Sequence, residues 1–189
     1  MSATCEAFWG EIAPSEHLVQ IYDDSTAFLD SLEGFVAGGL RANDGVLVIA
    51  VPAHRFALNE RLAAAGFDLD EARANDQYID LDADETLAQF MHNGWPDDQV
   101  FARMVAGFLN RAGKDGRRVR AFGEMVAILW DKGHTAATVR LEHLWHRLCQ
   151  KDGFSLFCAY PKTGFTRDAD ASIREICEAH SRVVGYPPR

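Results

Sequence analysis

Val46-Leu47-Val48-Ile49-Ala50-Val51, followed at once by Pro52-Ala53-His54-Arg55-Phe56, is the stretch that decides the fold. An apolar run without alternation is a strand buried on both faces, as in a parallel sheet covered by helices on each side. A helical stretch follows it. In a nucleotide-binding domain the turn between such a strand and its helix carries glycines, whose backbone N–H groups wrap a phosphate, and then Lys-Ser/Thr. Here proline, histidine and arginine stand in that turn. The pattern predicts a nucleotide-binding type of architecture whose phosphate chemistry has been lost or replaced.

Outward from this strand, helical and extended patterns alternate. His17-Leu18-Val19-Gln20-Ile21-Tyr22 reads as a strand ended by Asp23-Asp24, with Ser25 as the cap of a helix that Gly38-Gly39 helps to stop. A helix is expected over 54–65, a strand over 78–81, and one or two helices over 85–91 and 97–111, the last with a clear apolar stripe. Residues 119–129 begin as a strand, 139–149 read as a helix, 154–160 as a strand and 169–184 as a final helix. Residues 1–16 are expected to form a loosely attached arm, with Phe8, Trp9 and Ile12 able to dock, and 17–186 a single domain. Crossovers of this length imply a three-layer, mostly parallel α/β sheet.

The chain has 189 residues, enough for one sizeable core, and a net charge of −9 that disfavours nucleic acid or an anionic membrane as partner. No apolar run approaches the roughly 20 residues needed to cross a bilayer, and no signal sequence opens the chain. A cytoplasmic location is expected. Cys5, Cys149, Cys158 and Cys177 contain no Cys-x-x-Cys pair and are expected to be reduced, packed thiols.

In open sheets of this kind ligands bind beyond the carboxyl ends of the strands. That rule selects Tyr22-Asp23, His54-Arg55, Leu81-Asp82, Glu124-Met125 and Tyr160-Pro161 as the rim of a site. His54 and Arg55 open a helix, where the free N–H groups attract an anion. Glu124, read as facing inward from a strand, needs a partner or a ligand, and Arg120 shares its face if the strand is regular. His180 falls on the apolar stripe of the last helix and must be hydrogen-bonded or used. His143 and His146 are expected to point outward. Asp80-x-Asp82-x-Asp84 lacks the glycine and the closing glutamate of a calcium loop. No nucleophile elbow, zinc motif or dinucleotide fingerprint is present, so no cofactor, no metal and no catalytic constellation is expected.

His17 with Tyr22, Gly39-Leu40 leading to Val46-Leu47-Val48-Ile49, and His54-Arg55 form the first part of an ordered set. Leu62 with Gly66, Arg120 with Gly123-Glu124-Met125, Glu142 with Trp145, Cys158-Ala159-Tyr160 and His180 complete it. In this order they resemble the MEDS family, the methanogen/methylotroph, DcmR-type sensory domain, over nearly the whole chain. The resemblance implies a RecA/KaiC-like fold without the phosphate-loop signature. It also implies a sensory role, in which such domains, alone or joined to histidine kinases or DNA-binding regions, perceive small molecules thought to be hydrocarbon-derived.

The expectation is therefore a non-catalytic signalling domain with a small-molecule pocket at the carboxyl edge of the sheet. Its ligand-binding residues would be His54, Arg55, Glu124, Tyr160, His180, Tyr22 and His17. Output would pass through a histidine kinase, a transcription regulator or a homo-oligomer. The rivals are a divergent nucleotide-binding enzyme and a ligand-free protein-interaction module.

Overall fold

The structure, a computed structural model, describes Trp9, residues 12–162, Ile176, Glu178 and residues 180–184. Its strands are β1 (His17–Tyr22), β2 (Gly45–Ala50), β3 (Tyr78–Asp82), β4 (Met91–His92), β5 (Trp95–Pro96), β6 (Val119–Gly123), β7 (Ser155–Pro161) and β8 (Arg182–Val184). Its α-helices are α1 (Ser25–Arg41), α2 (Pro52–Ala64), α3 (Leu69–Ala74), α4 (Ala83–Ala88), α5 (Asp98–Ala112), α6 (Met125–Asp131) and α7 (Thr135–Asp152). Six strands form one sheet in the order β3-β2-β6-β7-β1-β8. Every neighbouring pair in it is parallel.

The period-two alternation of the strands builds two cores. Val46, Val48, Phe122 and Phe157 face one way and pack under α1, α2 and α3. Leu47, Ile49, Ala121 and Cys158 face the other way, under α4, α5, α6 and α7. The expected three-layer α/β fold of RecA-like kind is the fold observed. β2 is buried along its whole length, as its unbroken apolar run requires. Each fully buried Val, Leu or Phe contributes about 1.5–3 kcal/mol.

Several local expectations are corrected. Asp24, not Ser25, caps α1 by accepting from the Thr26 N–H at 3.0 Å. Gly38-Gly39 does not stop that helix, which runs on to Arg41. Its glycines serve packing instead. A Cβ on Gly34 would stand 2.4 Å from the Trp9 ring, and one on Gly39 would stand 2.9 Å from Val46. Trp9 and Ile12 are docked and buried, which ties down part of the arm, while Phe8 lies outside the described residues. Residues 91–96 form a small hairpin on Asn93-Gly94, both with positive φ, where a helix was expected to extend to Met91. The final helical expectation fails at its end, since Arg182–Val184 is β8, paired with Leu18–Gln20 of β1. Most of 169–179 lies outside the described residues. Among the described residues no helix is long and apolar enough to cross a membrane.

Candidate functional site

The seven expected ligand residues fall into two groups. At the carboxyl edge, α2 follows β2 over one face and α6 follows β6 over the other, so the two chain paths part between neighbouring strands. Such a switch point is where open α/β sheets bind ligands. Glu124 sits there. The strand stops at Gly123, and Glu124 is the residue before α6, not an inward residue of the sheet. One of its oxygens accepts from the Val51 N–H at 2.9 Å and the other lies 2.7 Å from His54 Nδ1. Its own N–H donates to Ile49 O at 2.9 Å.

An internal carboxylate thus takes the start of α2, the place where an external anion was expected. The hydrogen bond to Glu124 raises the His54 pKa above its ordinary value despite partial burial. Tyr22 stacks on Phe28, which in turn meets the His54 ring edge-on. Burial, and then the Glu124 charge, push the Tyr22 phenol up to about 12, so it stays protonated. Arg55 is also engaged, donating to Asp80 O at 3.3 Å and lying 3.5 Å from the Asp80 carboxylate and 4.0 Å from that of Asp82.

The expected Arg120–Glu124 pair does not form. Arg120 is buried at the amino-end side of β6, with Nε donating to Asp44 at 2.8 Å and Nη1 to Trp9 O at 2.5 Å. The Asp80-x-Asp82-x-Asp84 carboxylates are separately engaged. Asp80 accepts from Arg73 and Asn59, Asp82 caps α4, and Asp84 meets Lys132.

His17, Tyr160 and His180 form the second group, inside the core on the α7 side of the sheet. They converge on Glu142, a buried carboxylate of α7. The Tyr160 hydroxyl donates to Glu142 Oε1. Glu142 Oε2 lies 3.5 Å from His17 Nε2, 3.5 Å from His180 Nε2 and 3.9 Å from Cys158 Sγ. His17 Nε2 is itself 3.5 Å from Cys158 Sγ. The rings of His17 and His180 stand 3.9 Å apart, and that of His146 lies 5.7 Å from His17. His146 is therefore half-buried against the cluster rather than pointing outward, while His143 is exposed.

Burial sets the charges of this cluster. It lowers His17 to about 3 against the pull of Glu142, so His17 is neutral. Burial also opposes ionisation of Glu142, but His180, His17 and Tyr160 bring its carboxyl down to about 2. Burial works against the charged form of His180 too, yet the Glu142 charge leaves its pKa raised. Burial and the same carboxylate keep the Cys158 thiol and the Tyr160 phenol protonated. The group is one carboxylate–imidazolium pair ringed by a neutral imidazole, a thiol and a phenol. Two protonable nitrogens in it, His17 Nδ1 and His180 Nε2, make no hydrogen bond.

Sequence reasoning picked His17, Tyr160 and His180 as ligand residues, and placed the carboxylate that joins them, Glu142, in the family resemblance without a role in the site. The signal was present: Glu142 lies next to Leu141 and three residues before Trp145, on the apolar stripe of α7.

The family model described as MEthanogen/methylotroph, DcmR Sensory domain (MEDS) matches residues 16–181, most of the chain. The match begins one residue before His17 and ends one residue after His180. No curated protein matches the chain.

Proposed function

This chain belongs to the MEDS family of sensory domains, and on that premise we propose that it recognises a small molecule at the Glu142 cluster. It acts by binding rather than by turnover, in the cytoplasm. Occupancy is passed to a partner protein, a kinase or transcription regulator, or to a second copy of the chain. One observation carries the reading. Five polar side chains from β1, α7, β7 and the segment before β8 are gathered inside an apolar core, each at most 9% exposed. Buried polar groups cost stability unless fully paired, and clusters of groups with displaced pKa values mark functional sites. The segment that carries His180 continues directly into β8, so a change at the cluster reaches an edge strand within two residues. A ligand switches output only if it favours one arrangement over the other.

A thermal-shift screen against short-chain alcohols, organic acids, halogenated hydrocarbons and nucleotides tests it, because selective binding raises the Tm by mass action. The reading expects an organic hit that is lost in Glu142→Gln and His180→Ala and kept in His54→Ala. A hit lost in His54→Ala and Glu124→Gln instead moves the site to the switch point. A nucleotide hit with hydrolysis replaces the sensor with an enzyme. No hit leaves a ligand-free interaction module.

A further inference from the structure

We infer that His17, Glu142, Cys158 and His180 bind one divalent transition-metal ion of the zinc class. Each offers one ligand atom, all four side chains are buried, and the four atoms lie within 4.8 Å of one another. Ligand atoms about 2.0–2.3 Å from a common tetrahedral centre stand about 3.3–3.6 Å apart. The observed separations are 3.5 Å for His17 Nε2 to Cys158 Sγ, 3.5 Å from each histidine Nε2 to Glu142 Oε2, and 3.9 Å for Cys158 Sγ to Glu142 Oε2. Three of these four separations match a metal tetrahedron and the fourth is a few tenths of an ångström wider, with the four atoms brought together from four separate pieces of chain.

The surroundings are those of a metal site as well. His180 Nδ1 is 2.6 Å from Ile176 O, a bond that holds the proton on Nδ1 and turns Nε2, the nitrogen that gives up its proton on loading, toward the cluster. Metal-bound histidines are oriented in this way, through the ring nitrogen that does not ligate. His180 Nε2 makes no hydrogen bond of its own although the residue is buried. Tyr160 holds Glu142 Oε1, so that Oε2 is the oxygen turned to the other three ligands. A hydroxyl bonded to the carboxylate oxygen that does not ligate fixes the orientation of the one that does.

Charge and donor type select the ion. One thiolate, one carboxylate and two neutral imidazoles carry two negative charges, which a divalent cation cancels in a core that tolerates no net charge. Sulfur and nitrogen donors exclude calcium and magnesium, which take oxygen, and a tetrahedral mixed set fits zinc. Loading releases the Cys158 thiol proton and the second His180 proton to solvent, as metal binding to such ligands does. The inference deepens the sensory reading, since it takes the same cluster. The ion would fasten the His180 segment to β1, α7 and β7, and exchange of a ligand at it would free that segment.

The test needs no organic ligand, so its outcome is separate from that of the ligand screen. The full chain is purified from zinc-supplemented medium, its metal content measured, and the metal removed and replaced with Co(II). The expected result is about one zinc per chain, a thiolate-to-cobalt charge-transfer band with d–d bands of tetrahedral strength, and a Tm about 5–10 °C higher with zinc than without. Cys158→Ser should lose the charge-transfer band while keeping its far-ultraviolet circular dichroism. His180→Gln, a milder change, should weaken metal retention at least tenfold in chelator competition. A folded wild-type chain that takes up neither ion, or a charge-transfer band that survives Cys158→Ser, overturns the inference.

Discussion

A histidine hydrogen-bonded to a carboxylate is stabilised in its charged form, and His54 against Glu124 is such a pair. Because the His54 pKa is raised on folding, its contribution is complete below the unfolded value of about 6.5 and is lost as pH rises through the folded value. Urea unfolding over that window should show the wild type losing about 1 kcal/mol that His54→Gln does not lose. Equal slopes would mean that Glu124 does not raise the His54 pKa on folding. Asp80 has the opposite sign. Burial works to raise it, but hydrogen bonds from Arg73 and Asn59 leave its pKa below 3.8. Its contribution is present above that value and lost as pH falls through the folded pKa. Asp80→Asn should cost about 2 kcal/mol at pH 7 and nothing once the wild-type carboxylate is protonated, checked by unfolding at both ends. At this scale the sequence told which residues are unusual but not whom they meet. Glu124 and Arg120 are four apart and looked like partners, yet the strand ends between them and sends each to a different neighbour. Glu142 entered only through its place with Trp145 in the family resemblance, because the partners that give it a role lie far away in the chain.

Elements were legible where their pattern is local. The unbroken run of β2 and the stripe of α5 were read nearly to their ends. So was the strand His17–Tyr22, whose partner strands could not be named from its own residues. The hairpin at 91–96 carried its own signal in Asn93-Gly94, and the helical reading of the flanking residues overrode it. Gly38-Gly39 misled for a different reason: a glycine that ends a helix and one that admits a neighbour look alike in sequence. The structure separates the two kinds, and stability should follow. Gly34→Ala places a methyl 2.4 Å from the Trp9 ring, so the arm or the helix must give. The expected cost is about 1–3 kcal/mol, with Trp9 becoming accessible to a fluorescence quencher. Gly107 lies on the exposed side of α5 with nothing within 4 Å of an added Cβ. Gly107→Ala should therefore stabilise by about 0.5–1 kcal/mol, the helix-interior cost of glycine. Chemical denaturation of the two variants decides the matter, since equal signs would mean that Trp9 does not pack on α1 as described.

Across the whole molecule, the sheet joins a centre that holds itself and an edge that depends on other contacts. β2 lies between β3 and β6 under helices on both faces, and β6 separates it from β7. Among the described residues β8 pairs only with β1, over three residues. Its attachment is reinforced by Ser181, whose N–H and hydroxyl both donate to His17 O, at 2.8 and 3.0 Å, and whose hydroxyl oxygen accepts from the His17 N–H at 2.6 Å. His17 and His180 sit beside these bonds and meet Glu142 on the other side. The cluster and the β8 edge are therefore one mechanical unit, built from residues that are distant in sequence and close in space. Glu142→Gln removes the charge that His180 pairs with, and the strain should appear locally before it appears globally. Hydrogen exchange in this variant should show the amides of 181–184 losing protection about tenfold or more, while those of Leu47–Ile49 remain at wild-type rates, because edge segments open at lower free energy than central strands. A uniform loss at both places would mean that Glu142 supports only global stability, and that no path runs from the cluster to the edge. A selective loss would make β8 the element through which occupancy of the cluster is read by a partner.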